Sequence, residues 1–302
     1  MADQILKIQH LNKSFGKQHV LRDVSFQIPR GAILGLIGAN GAGKSTIMKC
    51  IVGLLHFQSG SIQIDGRRVD FRHRKPLSQV GTMIEAPAIY KNLTGWDHLR
   101  LLNDGSNSKA DLVRIAKATD IANFMHRKAK KYSLGMKQRL GIAMTLVNHP
   151  KLLILDEPMN ALDPQSTYHL RNLLLKLSHR GVSILVSSHI LSELAKVADY
   201  YVVINHGRVV AKAPAQQILN AKDDFLKIQT TDNQQALKLI SQKLSSVKVA
   251  VKSQQIIIPN QARVLNLILK VWVQNQIEIQ SIHEANHNLE NSVLKLLRKG
   301  DK

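Results

Sequence analysis

Nine consecutive residues concentrate the chemistry of this chain: Gly38-Ala39-Asn40-Gly41-Ala42-Gly43-Lys44-Ser45-Thr46. They match G-x-x-x-x-G-K-[ST] at every defined position, the pattern of a loop that cradles phosphate. Its glycines let backbone N–H groups close around an anion, and the helix expected to follow adds a partial positive charge at the same point. Lys44 can reach the outer phosphates of a nucleoside triphosphate, and Ser45 can place its hydroxyl on Mg²⁺. Gly38, Asn40, Gly41, Ala42, Gly43, Lys44, Ser45 and Thr46 are therefore candidate nucleotide contacts. A glycine-rich turn that binds nothing has no need of Lys and Ser directly after the last glycine.

A second set of residues could complete such a site. Leu152-Leu153-Ile154-Leu155-Asp156-Glu157 is an apolar strand ending in two carboxylates. Asp156 at the strand tip can hold Mg²⁺ opposite Ser45. Glu157, one residue further, is placed to orient or deprotonate an attacking water. Ser187-Ser188-His189 closes another apolar run, and His189 there could hydrogen-bond a terminal phosphate. Tyr132-Ser133-Leu134-Gly135-Met136-Lys137-Gln138-Arg139-Leu140 opens a long helical pattern, with Ser133 as its N-cap and Gly135 leaving room for close backbone approach.

Strands and helices must position these residues. The run Ala32–Ile37 before the loop reads as a buried strand, and residues 46–52 after it as an amphipathic helix. Residues 4–10 and 24–28 read as short strands. Runs at 152–155, 182–186 and 201–204 are short, apolar and rich in branched residues, each after a longer helical pattern. That alternation predicts an α/β fold with a mostly parallel sheet covered by helices. Residues 86–150 carry helical patterns at 96–103, 111–118 and 134–148 and read as an inserted helical subdomain. The first domain then spans 1–220. The remainder, 221–302, reads as a small α+β domain: strand 224–229, helix 234–244, strands 248–252 and 255–259, helix 261–273, strand 276–282 and helix 287–298. The order βαββαβ matches the ferredoxin-like arrangement.

Composition narrows the setting. The chain has 302 residues, 44% of them hydrophobic, enough to bury a full core. Its single cysteine, Cys50, cannot form an internal disulfide, which suits a reducing cytoplasm. No apolar run approaches the ~20 residues that span a bilayer, and the start lacks the pattern of a secretory signal. The formal net charge is +21. The densest clusters are Arg67-Arg68 with Arg72-His73-Arg74-Lys75, and His126-Arg127-Lys128 with Lys130-Lys131. Aromatics make up 4% of the chain and do not interleave with these clusters as base stacking would need. Basic faces near a membrane surface or near nucleotide are expected, and no nucleic-acid partner.

Together these segments resemble the ATP-binding subunits of ABC transporters, a branch of the phosphate-loop NTPases. The matching pieces are loop 38–46, the signature-like 132–139, the acidic strand end 152–158, Asn160-Ala161-Leu162-Asp163 as the D-loop with Asp163, and His189 as the switch histidine. Phe15 stands where the family keeps an aromatic that stacks on adenine. The resemblance implies ATP and Mg²⁺ as cofactors and a head-to-tail pair of subunits. Ser133 and Gly135 of one subunit would touch the γ-phosphate bound by the other, and Lys44, Glu157 and His189 would serve hydrolysis. It further implies a separate membrane-spanning permease as partner and a cytoplasmic place on the inner membrane face. The residues 289–294 are similar to the final helix of many such subunits.

Two departures are informative. The usual L-S-G-G-Q is replaced by Tyr132-Ser133-Leu134-Gly135-Met136, and Glu85 occupies the place of the Q-loop glutamine within 81–87. Both are similar to the bacitracin-export and lantibiotic-immunity branch, whose exporters protect bacteria from peptide antibiotics. A carboxylate at 85 could bind Mg²⁺ or its waters. It could instead couple nucleotide state to the permease. Two other readings stand beside the exporter: a soluble relative acting on ribosomes, nucleic acid or protein assembly, and a module that binds ATP without hydrolysing it. The first sits badly with a single phosphate loop, and the second with Glu157 and His189.

Overall fold

The computed structural model describes residues 3–160, 162–215, 217, 225–244, 247, 249–252 and 255–285. These fall into two compact units divided near residue 216. The first opens with β1 (Gln4–Phe15) and β2 (Gln18–Pro29), a long antiparallel pair. Each runs 12 residues, well beyond the short strands read at 4–10 and 24–28. His10 and Asp23 take positive φ, and register shifts break the pairing there, so the hydrophobic alternation that marks a strand is interrupted midway.

β3 (Ile33–Gly38) is buried through Ile37 and runs directly into the glycine-rich loop and α1 (Lys44–Ile51). β4 (Ser59–Ile64) and β5 (Arg67–Arg68) extend the first pair into an antiparallel sheet of order β2-β1-β4-β5. After β6 (Val80–Met83) come three helices: α2 (Gly95–Leu102), α3 (Lys109–Ala118) and α4 (Leu134–Leu146). Capping boxes start the first two, Thr94 with Asp97 and Ser108 with Asp111. The three helices share a core that includes Leu99, Leu112, Phe124, Tyr132 and Leu140.

The chain then returns to the central sheet with β7 (Leu152–Leu155), α5 (Pro164–His179), β8 (Ser183–Ser187), the single turn α6 (Leu191–Leu194), β9 (Tyr200–Asn205) and β10 (Arg208–Pro214). Its order is β10-β9-β3-β8-β7-β6. All neighbours are parallel except the edge pair β10–β9. This shared direction places the carboxyl ends of β3, β6, β7 and β8 along one edge, where open α/β sheets bind their ligands.

The second unit contains β11 (Phe225–Thr230), α7 (Asn233–Lys243), β12 (Ala250–Lys252), β13 (Gln255–Pro259), α8 (Ala262–Gln274) and β14 (Ile279–Ala285). Its sheet has the order β12-β13-β11-β14, with every pairing antiparallel, a split βαβ topology. Trp272 is fully buried in its core, and its indole N–H donates to the Ala236 carbonyl at 3.0 Å. The helix expected at 287–298 lies outside the described residues, as does Ala161.

Candidate nucleotide site

The loop between β3 and α1 is shaped by its glycines and by what packs beneath them. Gly41 and Gly43 sit at φ +80° and +108°, which side-chain-bearing residues rarely adopt. A Cβ on Gly43 would lie 2.7 Å from Leu21, and one on Gly38 only 2.6 Å from the Ile204 carbonyl oxygen. The turn after β9 fastens the loop from the side: Gly207 N–H donates to the Ala42 carbonyl at 3.2 Å, and the Gly207 carbonyl accepts from Arg22 N–H at 2.8 Å. β2 thus packs beneath the cradle, and Phe15 ends β1 beside it, paired with Gln18. That ring is 46% exposed, with the Lys13 ammonium 4.5 Å from its centroid.

Lys44 is 7% exposed. Its ammonium donates to the Gly38 carbonyl at 2.8 Å and the Ala39 carbonyl at 3.3 Å, and lies 3.9 Å from Glu157 Oε1. Ser45 Oγ donates to Asp156 Oδ2 at 2.6 Å across 111 residues of sequence. The other Asp156 oxygen accepts from Ser187 Oγ at 2.5 Å. The same hydroxyl accepts the Glu157 N–H at 2.8 Å. One serine therefore orients both acids.

Glu157 adopts φ +49°, a strained conformation for a residue with a side chain. Its Oε2 accepts from the His189 backbone N–H at 3.1 Å and lies 2.8 Å from His189 Nδ1. Gln138 on α4 reaches the same corner, donating to the Pro158 carbonyl at 3.3 Å. Lys44, Ser45, Asp156, Glu157 and His189 are thus one connected group.

Other expected residues lie apart from that group. Ser133 caps α4, accepting the Met136 N–H at 3.2 Å, and Gly135 sits in the first turn of that helix. Asp163 caps α5, accepting from Ser166 Oγ at 2.6 Å and Ser166 N–H at 2.9 Å, bonds that hold its carboxyl below the usual carboxylate range. Glu85, at φ +64°, forms an ion pair with Lys49 of α1 at 2.5 Å. Lys49 follows Ser45 by one helical turn, so α1 carries the loop at one end and the Glu85 contact on its body. Among the described residues, no three His, Cys, Asp or Glu side chains gather as a metal cluster.

Sequence reasoning did not foresee the parts of Ser187, Gln138 and Lys49. Ser187 stood beside His189 at a strand end, which marked the position but not its two partners across the sheet.

A phosphate-wrapping loop at the carboxyl edge of a parallel sheet, joined to an acidic strand tip, defines a nucleoside-triphosphate-binding protein of the phosphate-loop class. The profile of the ABC transporter family matches residues 21–160. The lantibiotic transport ATP-binding protein SrtF of Streptococcus pyogenes is 44% identical over 207 residues, covering 68% of this chain and 89% of that protein. The bacitracin transport ATP-binding protein BcrA of Enterococcus faecalis is 33% identical over 307 residues, covering 99% and 98% of the two chains. A solved ATP-binding subunit of an ABC transporter, 33% identical, superposes with a TM-score of 0.66 over 71% of this chain and 91% of its own. The chain belongs to the ABC transporter family, as one of its ATP-binding subunits, and is an ATPase. Subunits of this kind pair with each other and work with membrane permeases.

Proposed function

We propose that this chain powers an exporter that removes peptide antibiotics, of the kind named by the bacitracin and lantibiotic transport proteins it is similar to. One observation carries the reading: the likeness to a bacitracin transport subunit extends over 99% of the chain, the second unit included. Residues 1–220 act as the ATP-binding domain, with 86–150 as its helical subdomain, and 221–302 as an accessory domain.

In this reading the backbone of Gly38–Thr46 and the Lys44 ammonium hold the phosphates, and Phe15 offers its exposed ring to the base. Ser45 and Asp156 hold Mg²⁺. A hydroxyl and a carboxylate oxygen 2.6 Å apart are the hard donors that ion prefers. When bound, Mg²⁺ neutralises charge building on the phosphates. Glu157 accepts a proton from the attacking water, and His189 keeps that carboxylate aimed. Ser133, Gly135 and Asp163 serve the interface with a second copy. The exposure of Leu134, at 61%, leaves the start of α4 open for such a partner. Glu85 couples nucleotide state to the permease through its pair with Lys49. To bind Mg²⁺ directly it would first have to leave that lysine. The working place is the inner face of the cell membrane, beside a polytopic permease.

Glu157→Gln tests the reading. The variant is expected to bind ATP, to lose turnover by about 10²–10³-fold, to accumulate a closed pair in ATP, and to leave cells expressing it with the permease sensitive to bacitracin or a lantibiotic. Full turnover would overturn the role of Glu157. Unchanged resistance despite lost turnover would overturn the exporter.

A further inference from the structure

The first unit carries a second chemically distinctive surface, outside the nucleotide site. The segment from β5 to the approach of β6, residues 67–75, holds five cations: Arg67, Arg68, Arg72, Arg74 and Lys75. All five are exposed. The segment's one acid, Asp70, is tied down at 2.8 Å by His73 and at 3.0 Å by Arg68. It cancels one charge, which leaves an excess of four. Phe71 projects from the middle of this cluster, 71% exposed, with the Arg74 guanidinium 4.8 Å from its ring centroid. Arg74 also donates to the Gly53 carbonyl at 3.3 Å. That bond fixes the cluster beside the turn after α1, where Leu54 is 67% exposed. A hollow of about 620 Å³, lined by His56, Arg68, Phe71, Arg72 and His73 among others, opens in the same surface.

Cations interleaved with exposed apolar side chains suit one environment above others. At a bilayer surface, guanidinium and ammonium groups meet lipid phosphates while aromatic and leucine side chains enter the boundary with the acyl region. A nucleic-acid strand would offer the same phosphates, but it stacks successive bases on several rings. Here a single ring stands out, since Phe57 packs against the core. The net charge of +21 adds long-range attraction toward an anionic surface.

We infer that the surface formed by Arg67–Lys75 with Phe71 and Leu54 docks on the headgroups of anionic lipids. The inference rests on the reading of the chain as a peripheral membrane subunit and adds to it a direct lipid contact made by this chain itself.

Co-sedimentation of the intact chain with vesicles tests it, using phosphatidylcholine alone or mixed with phosphatidylglycerol, and no permease. Wild type is expected on the phosphatidylglycerol vesicles and off the neutral ones, with binding that weakens as salt rises. Each cation is expected to contribute about fivefold to partitioning. The triple variant Arg67→Gln, Arg72→Gln, Lys75→Gln should therefore bind on the order of a hundredfold less tightly. Phe71→Ser should lose roughly tenfold while keeping the salt dependence. Both variants should keep wild-type ATPase activity in solution, which reports an intact fold. Three results would overturn the inference: no preference of wild type for the anionic vesicles, a triple variant that partitions like wild type, or ready displacement of vesicles by single-stranded RNA, which would assign the patch to nucleic acid. Co-purification with a permease is a separate measurement, so loss of the lipid contact and loss of the transporter reading give different results.

Discussion

Ser187 shows how much of the site depends on one side chain that does no chemistry. Its hydroxyl donates to Asp156 and accepts from the Glu157 N–H, joining the two acids at the tip of β7. The hydroxyl is fully buried. Ser187→Ala leaves a buried N–H and a carboxylate oxygen without this partner. The expected cost is about 1–3 kcal/mol in urea unfolding, together with a lower kcat as Glu157 loses the support that holds its positive φ. A drop in stability with unchanged turnover would show that Glu157 is held by other means. Local spacing made the loop residues legible, because nine neighbours in sequence are also neighbours in space. Ser187 was not, because its contacts lie 31 and 30 residues back along the chain and nothing local marks them.

At the scale of elements, the buried parallel strands were the most readable. β3, β7, β8 and β9 are runs of branched apolar residues with both faces covered, so no alternation dilutes them. β6 was not recognised. It is four residues at the sheet edge, and its Gly81 has no side chain because a Cβ would sit 2.2 Å from the Thr145 carbonyl oxygen on α4. β4 and β10 depend on antiparallel partners for their definition and also went unread. Tyr201 on β9 supplies a test at this scale. It is completely buried, and its hydroxyl has no hydrogen-bond partner among the described residues. Burial, with a smaller push from Asp199, raises the phenol to about 12. The unfolded chain releases that proton near pH 10 while the folded chain retains it. Stability should therefore be full below pH 10 and decline as pH rises toward 12. Tyr201→Phe is expected to gain about 1 kcal/mol at neutral pH and to lack that part of the alkaline decline in thermal melts across the range.

At the scale of the molecule, every described residue of the candidate site belongs to the first unit, and the second has its own core around Ile228, Ile256, Ile268 and Trp272. A chain ending at residue 220 is expected to bind a fluorescent ATP analogue with an affinity within a few-fold of full length, since the site's described residues and the core beneath them lie in the first unit. Loss of binding would assign part of the site to the second unit. The tail's described elements were legible from their periods of two and 3.6. Strand 255–259 coincides with β13, and helix 261–273 is offset from α8 by one residue at each end. The strand read at 276–282 proved displaced, since β14 runs Ile279–Ala285. Gln276 has positive φ, and Ile277 packs into the core before the strand begins, which mimics the alternation of a strand already under way.

The Lys44 ammonium rests on two carbonyls of the loop that carries it. Those dipoles, with the Glu157 carboxylate 3.9 Å away, make a buried cation tolerable. In the proposed reading, an arriving triphosphate would swap them for phosphate oxygens, so the affinity gained would be a difference between two solvations of the same charge. In that reading, a motor that must discard its spent fuel every cycle benefits from a lysine whose charge its own loop already solvates.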